Sequence, residues 1–341
     1  MPNRNHNPHK RRLYLPIVEA PPASDVHSVA TLPAGVLPGD GPTARSVGCA
    51  QSVVPRRKPE WLKVRARTGQ NYGELKGLMR GLELHTVCEE AACPNIYECW
   101  EDREATFLIL GDRCTRRCGF CDVMTAKPFV VDPDEPQRIA RAVAAMGLRH
   151  VVITGVARDD LPDGGAGVWA ECIRTVRAAV PGCGVEVLPA DFKGGQQDIA
   201  TVVEAEPDVF AHNLETVRRL HDRIRPAFGY DRSLEVLRIA KRVRPGQITK
   251  SNLILGMGER PDEAREAMRD VRASGCDLLT MGQYLQPTGF HLPVDRWVDP
   301  QEFSGHARFG MEELGFAHVE AGPLVRSSYH AGTQLRRALA R

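Results

Sequence analysis

With 341 residues, 45 Lys and Arg against 43 Asp and Glu, and a net charge of +2, the chain is long enough for one or two domains with a substantial core. So even a balance argues against nonspecific nucleic-acid binding as its main work. No stretch of about 18 apolar residues occurs, so neither a transmembrane helix nor membrane association is expected.

Residues 1–57 are rich in Pro, Gly, Ser, Asn and Ala and lack sustained periodicity, which reads as a disordered or loosely attached leader. Lys10, Arg11 and Arg12 could touch an acidic partner, but no apolar run follows them, so no secretory signal is expected. Unpaired thiols and the lack of such a signal together point to the cytoplasm. Residues 58–105 read as a short, mostly helical extension that Trp61, Leu62, Leu75 and Leu78 anchor to the main body.

Six of the ten cysteines fall between residues 88 and 121, in two triplets. Cys88, Cys93 and Cys99 are spaced C-x4-C-x5-C; Cys114, Cys118 and Cys121 are spaced C-x3-C-x2-C. Thiolates this close usually hold metal, and three per site is one fewer than a structural zinc or a fully ligated 4Fe–4S cluster needs. In the second triplet the missing ligand would leave one iron open to an exogenous molecule. A zinc site using one triplet and His85 is the alternative, while disulfides would need an oxidising compartment. Cys49, Cys172, Cys183 and Cys276 fit no cluster spacing and read as ordinary thiols.

From residue 106 onward, apolar strand-like runs alternate with longer amphipathic segments. Strands are predicted at Thr106–Leu110, His150–Thr154, Gly184–Leu188, Asp208–His212, Thr249–Leu255 and Asp277–Met281. Helices are predicted at Glu135–Met146, Val168–Ala179, Gln196–Ala205, Ser233–Val243, Pro261–Ala273 and Pro300–Leu314, with start signals at Pro261-Asp262-Glu263 and Asp299-Pro300. Six β–α repeats imply an α/β fold with a parallel sheet, and six rather than eight implies a partial (β/α)6 TIM-like barrel. Active sites of parallel barrels lie at the C-terminal strand ends, where the second triplet directly follows the first strand.

The second triplet, with Phe120 before its last cysteine, resembles the radical S-adenosylmethionine signature, and the two triplets in this order resemble the lipoyl synthase family. The likeness extends to KPEWLKVR (58–65), RDDLPDGGA (158–166), DFKG (191–194), PDVFAHNLETV (207–217), MGQYLQPT (281–288) and GPLVRSSYHA (322–331), covering roughly residues 58–331. It implies a sulfurtransferase of the partial-barrel type with an N-terminal cluster-binding extension, dividing the chain into a leader (1–57), the extension (58–105), the barrel (106–320) and a closing segment (321–341).

By that resemblance, Cys114, Cys118 and Cys121 hold a 4Fe–4S cluster whose fourth iron chelates S-adenosylmethionine. The reduced cluster cleaves the cofactor to methionine and a 5′-deoxyadenosyl radical, which can take hydrogen from an unactivated alkyl carbon. Cys88, Cys93 and Cys99 hold an auxiliary 4Fe–4S cluster consumed as the sulfur source, closed by a serine of RSSY (326–329). Ser327 and Ser328 both fit, and Ser328 is preferred. The other reading of RSSY is a pin for the chain end, with Arg326 paired to a carboxylate. Cofactor contacts are expected at Thr154 and Gly155, where a strand ends and backbone can approach a ligand, and at Asn213 and Glu215. His212 reads as a core histidine and Asn213 alternatively as a turn former. RDDLPDGG is either a loop shaping the site, with Arg158 paired to Asp159 or Asp160, or a rigid turn.

The implied reaction inserts sulfur at C6 and C8 of an octanoyl chain amide-linked to a lysine of a lipoyl carrier domain. Expected partners are octanoylated dehydrogenase-complex E2 subunits, the glycine cleavage H protein, and a low-potential donor such as ferredoxin or flavodoxin. The chain departs from the family pattern at Ala126, at Pro189-Ala190 before DFKG, and at Asn252, all outside the metal ligands. Competing readings are a sulfur-inserting radical enzyme acting on a small molecule or RNA, and a nonenzymatic iron–sulfur electron carrier. A carrier normally protects its cluster with four protein ligands, which the second triplet lacks.

Overall fold

The computed structural model describes residues 57–64, 69–91, 93–102 and 104–340; except for Arg57, the expected leader lies outside them, as does Cys49. In chain order the strands are β1 (His85–Thr86), β2 (Thr106–Ile109), β3 (Arg113–Cys114), β4 (Met124–Thr125), β5 (His150–Gly155), β6 (Gly184–Leu188), β7 (Val209–Ala211), β8 (Ile248–Leu255), β9 (Leu278–Gln283) and β10 (His318–Ala321). The helices are α1 (Gln70–Gly81), α2 (Val87–Glu90), α3 (Ile96–Glu101), α4 (Glu135–Met146), α5 (Ala166–Ala179), α6 (Gln196–Val203), α7 (Arg218–Ile224), α8 (Tyr230–Val243), α9 (Pro261–Ala273), α10 (Pro300–Arg308) and α11 (Ala331–Leu339).

One sheet runs in the order β1-β2-β5-β6-β7-β8-β9-β10, and β3 pairs with β4 apart from it. Within the large sheet β1 is antiparallel to β2 and every other neighbour is parallel. The six expected strands are all present as β2 and β5 to β9, each end within two residues of the reading. The sheet is wider than six strands because β10 adds a seventh parallel strand and β1 caps the other edge. Both edges are short, and β10 mixes His318 and Glu320 into four residues, so neither shows an apolar run.

Local chemistry sets the helix ends. The Glu263 carboxylate accepts from the Arg260 backbone N–H at 2.9 Å, and the Asp299 side chain accepts from Gln301 N at 2.7 Å. Each satisfies an amide that the first turn of a helix leaves unpaired. Helix α10 does not run unbroken to Leu314 as expected. It stops at Arg308 and continues as a single π turn over Phe309–Glu313. The turn carries Gly310 so close to β10 that an added Cβ would lie 2.7 Å from Val319 Cγ2. Of the expected anchors in the extension, Leu62 and Leu75 are buried and Leu78 packs at the edge of the core, whereas Trp61 is 44% exposed.

Most of the apolar core lies outside the curved sheet, in two large parts, while a small cluster of Val209, Leu278 and Leu335 lies on the inward registers beside α11. One joins β2, β5 and β6 to α4, α5 and α6; the other joins β8 and β9 to α9 and α10. Strand alternation sends the other residues inward. His150, Val152 and Thr154 of β5, Gly184 and Leu188 of β6, and Asn252 and Ile254 of β8 line a cavity of about 1230 Å³. On these inward-facing registers Lys250 Nζ donates to Glu186 Oε1 at 2.9 Å, with both side chains at most 2% exposed. Burial opposes the Glu186 charge, but the Lys250 ammonium outweighs it and holds the carboxyl below its ordinary pKa.

Breaking a buried ion pair costs more than replacing both members. Lys250→Met is therefore expected to lower unfolding free energy by about 3–5 kcal/mol. Lys250→Met combined with Glu186→Leu recovers most of that loss. Urea denaturation of the three proteins checks the ordering.

Candidate active site

The second triplet follows β2 at its C-terminal end, as expected, and its loop is fixed by ion pairs rather than by packing. Arg116, inside the triplet, donates from Nε and Nη2 to the two carboxylate oxygens of Asp159, both at 2.7 Å. Its Nη1 reaches Asp191 Oδ1 at 2.6 Å. Asp191, in DFKG, is fully buried and also accepts from Arg232 at 2.5 Å. Burial pushes the Asp191 carboxyl up, but the two guanidiniums outweigh it and leave the pKa below the usual range; Arg116 does the same for Asp159. The guanidiniums of Arg116 and Arg225 both stack on Phe228, at 4.5 and 3.9 Å.

Arg158 resolves onto Asp160 at 2.9 Å and onto the carbonyls of Leu110 and Phe129, so RDDLPDGG joins the end of β2 to the loop beyond the triplet. Its Asp163 accepts from Gly165 N and Gly167 N at the start of α5. From the other side the His291 ring lies 3.0 Å from the Cys121 carbonyl, and Leu292 N donates to Gly119 O at 3.1 Å.

The thiols sit in a setting suited to anionic sulfur bound to cations. Burial pushes Cys118 up to about 11 and Cys88 up to about 12, and raises Cys99, Cys114 and Cys121 as well. As free thiols they stay protonated, so metal binding would release protons. Cys114 Sγ already accepts from Arg116 N at 3.4 Å and Ala157 N at 3.3 Å. Beside Cys88, the Trp100 indole N–H is buried and faces the thiol, which it would help to hold as a thiolate. Among the described residues no three His, Cys, Asp or Glu side chains converge on a single-ion site. A cubane places each thiolate on a different iron and asks for a wider spacing than tetrahedral zinc. Three soft thiols in each triplet are the kind of donor set that iron–sulfur clusters take.

Both triplets open onto the same cavity: Cys88, Cys93 and Cys99 line it near the start of β2, Cys114 and Cys121 at its end. Thr154, Gly155, Asn213 and Glu215 line it too. Thr154 Oγ1 donates to the Leu188 carbonyl at 3.2 Å. Gly155 also has a packing reason for lacking a side chain, because a Cβ there would lie 2.6 Å from Trp169 Cζ2. Asn213 Nδ2 donates to Glu215 Oε1 at 2.9 Å, while Asn213 Oδ1 is buried and unpartnered. Burial pushes the Glu215 carboxyl up, and the residue holds a left-handed φ of 70°. His212 lies outside the cavity lining; its ring meets the Pro189 carbonyl at 3.2 Å, and burial pushes it down to about 4.

Sequence reasoning noted Asn252 only as a departure from a pattern. Its Nδ2 donates to Glu215 Oε2 at 2.7 Å and its Oδ1 accepts from Thr280 at 2.8 Å. The polar row therefore runs Asn213–Glu215–Asn252–Thr280 across three strands or their ends. The register of β8 on β9 sets it, and no local motif announces it.

The chain end folds back over the first triplet. Asn95 Nδ2 donates to the Leu324 carbonyl at 2.7 Å, the Tyr329 hydroxyl to Glu98 at 3.3 Å, and His330 lies 3.5 Å from Glu104. Ser327 and Ser328 line the cavity, and Ser328 Oγ accepts from Thr106 Oγ1 at 2.8 Å. Arg326 meets the Val325 carbonyl at 2.7 Å, not a carboxylate. Gly282 of β9 lets this segment cross, since a Cβ there would lie 2.0 Å from the Val325 carbonyl oxygen.

Comparison with known proteins agrees with this arrangement. A family model of the radical SAM superfamily matches residues 108–271, and one of the N-terminal domain of lipoyl synthase matches residues 49–93. The chain is 59% identical over 284 residues to a lipoyl synthase of Nocardia farcinica (strain IFM 10152), covering 83% of this chain and 80% of the relative. It is 59% identical over 282 residues to one of Mycobacterium avium (strain 104), covering 83% and 91%. A third, of Rubrobacter xylanophilus, is 56% identical over 297 residues, covering 87% and 92%. Among solved structures, the FeFe-hydrogenase maturase HydG from Carboxydothermus hydrogenoformans shares the fold with a TM-score of 0.52 at 11% identity, over 78% of this chain and 69% of that one.

Arg116→Leu is expected to strand buried Asp191 with Arg232 alone and to lower stability by about 3 kcal/mol, with Arg116→Lys costing less. Because both aspartates have lowered pKa values, their share of stability is full at neutral pH and is lost as pH falls below about 4. Denaturant midpoints at neutral and acid pH check both statements.

Proposed function

The chain belongs to the lipoyl synthase family of radical S-adenosylmethionine enzymes, and we propose how its own residues carry the reaction. It inserts sulfur at C6 and C8 of a protein-bound octanoyl-lysine, using S-adenosylmethionine, two 4Fe–4S clusters and an electron donor. In our reading Cys114, Cys118 and Cys121 hold the cluster that meets S-adenosylmethionine. Cys88, Cys93 and Cys99, closed by Ser328, hold the auxiliary cluster. The observation that supports this most is that the first triplet, Cys114 and Cys121 of the second, and RSSY line one continuous cavity.

When bound, the cofactors supply the electron, the 5′-deoxyadenosyl radical that removes hydrogen from the alkyl chain, and the sulfur. The protein's share is positioning and exclusion of water. The Arg116 fork fixes the second triplet's loop over the strand ends. Asn213 Oδ1, buried and unpartnered, offers an acceptor to the ammonium of S-adenosylmethionine. Glu215, held by Asn213 and Asn252, would offer its remaining lone pairs to the ribose hydroxyls. The Ser328 hydroxyl would be a harder ligand to the auxiliary cluster than a thiolate and would hold its iron less firmly.

The division into leader (1–57), extension (58–105), barrel (106–320) and closing segment (321–341) follows from these roles. We further assign lipoyl domains of dehydrogenase-complex E2 subunits and the glycine cleavage H protein as carriers, ferredoxin or flavodoxin as donor, and the cytoplasm as compartment. No helix among the described residues is long and apolar enough to cross a membrane.

Anaerobic reconstitution should give two 4Fe–4S clusters per chain by iron, sulfide and Mössbauer analysis; stoichiometric zinc without a cluster signal would sink the assignment. Replacing Cys114, Cys118 and Cys121 with Ala should abolish S-adenosylmethionine cleavage. Replacing Cys88, Cys93 and Cys99 should spare some cleavage and stop sulfur insertion; lipoyl product from that variant would show that the sulfur comes from elsewhere.

Ser328→Ala should impair sulfur insertion or auxiliary-cluster stability with radical generation largely intact, and Ser327→Ala should do less. Ser328→Cys should retain the cluster and slow its dismantling. The Mössbauer signal of the auxiliary cluster distinguishes these cases; if it responds to Ser327 and ignores Ser328, the ligand is Ser327.

A further inference from the structure

The cavity has two ends. At the C-terminal strand ends it is walled by the second triplet, by Asn213 and Glu215, and by Leu285 and Gln286. At the other end it reaches the surface between the loops before β5 and β6 and helix α11, where Gly147, Arg149, Gly182 and Arg336 line it and are exposed. Just inside that second mouth sits His150, its side chain 10% exposed.

His150 lines the cavity beside two glycines that pack closely against it. Gly184 has an ordinary φ, yet a Cβ there would lie 2.6 Å from His150 Nδ1. Gly332 of α11 comes equally near, with a Cβ 2.9 Å from that of His150. Backbone at both glycines thus packs against His150 where a side chain would clash, and the three residues together line the cavity. The opposite ring nitrogen, Nε2, is buried without a hydrogen-bond partner, and its nearest carboxylate is Glu186 Oε2 at 3.8 Å. Glu186 is in turn pinned by Lys250. A carboxylate on that side favours the proton on Nε2, which presents Nδ1 to the cavity as an acceptor.

We propose that the acyl-lysine arm enters through this mouth and that His150 Nδ1 accepts the N–H of the amide joining lysine to the octanoyl chain. The proposal rests on the reaction assigned above. Length supports it. From His150 to Thr154 the strand climbs four residues, or roughly 13 Å at about 3.3 Å each. An extended octanoyl chain reaches roughly 9 Å from its carbonyl by ordinary bond lengths. An amide at His150 therefore sets C6 near the height of Val152, which pairs with Thr106, the hydrogen-bond partner of Ser328. C8 then lies higher, toward the second triplet. Entry from the opposite end would instead pass through the ground given to S-adenosylmethionine.

The test uses reconstituted full-length protein and a fluorescent octanoyl-lysine peptide, with the unacylated peptide as control. His150→Ala and Gly184→Ala, which covers Nδ1, should each weaken peptide binding about tenfold, the loss of roughly one hydrogen bond. His150→Gln, which restores an acceptor, should regain part of it. Hydrogen exchange on the unmodified protein should show acyl-dependent protection at residues 147–150, 182–184 and 331–336. Unchanged affinity in both Ala variants, or protection confined to residues 120–123 and 284–287, would overturn the subsite while lipoylated peptide still forms. Failure of the unmodified protein to lipoylate any octanoyl peptide would instead overturn the parent reading, and this subsite with it.

Discussion

Arg116 lies at the point where the site becomes rigid. It belongs to the cysteine loop itself, yet its three nitrogen contacts reach Asp159 after β5 and Asp191 after β6. A loop holding three thiols for a bulky cluster cannot be packed tightly against itself, so something outside must hold it. A planar, permanently charged fork suits that task, because it fixes direction as well as distance. The cost of burying Asp191 is met by two guanidiniums, and RDDLPDGG and DFKG are thereby accounted for by one arrangement. Arg158 then ties the same loop region back to β2.

The interior of the barrel is unlike a filled (β/α) core, where layers of branched side chains meet on the axis. Here most apolar packing lies outside the sheet, and the inward registers, apart from a small cluster of Val209, Leu278 and Leu335, carry Glu186, Lys250, Asn252 and Thr280 among their residues. Hollowness serves a substrate that must thread between two metal sites. It also removes dispersion contacts, and the buried ion pair and polar row restore directional links between strands that no longer touch through side-chain packing.

Much of this was legible in the sequence, for identifiable reasons. The six inner strands are largely buried on both faces, so they read as mostly apolar runs bounded by turn residues, broken at Glu186 in β6 and at Lys250 to Asn252 in β8. The triplets are legible because thiol spacing is a local property. Other features are not local. Strand β1 is two residues long, and β10 owes its place to pairing with β9 rather than to its composition. The Thr106–Ser328 contact joins residues 222 apart. Asn252 meets Glu215 because of strand register, so it surfaced in the sequence only as an oddity. Gly155 shows a different limit: its smallness suggests ligand approach, while Trp169 alone suffices to demand it.

The return of the chain end over the first triplet also orders events during synthesis. The second triplet's partners Ala157, Asp159 and Asp191 are all made well before the chain is finished. The clasp over the first triplet, from Leu324 to His330, is translated more than 200 residues after the thiols it covers. Cysteines 88, 93 and 99, although translated first, therefore wait longest for a closed pocket. The pocket of the first triplet is thus closed by contacts far apart along the chain, whereas that of the second is closed by partners much nearer in sequence.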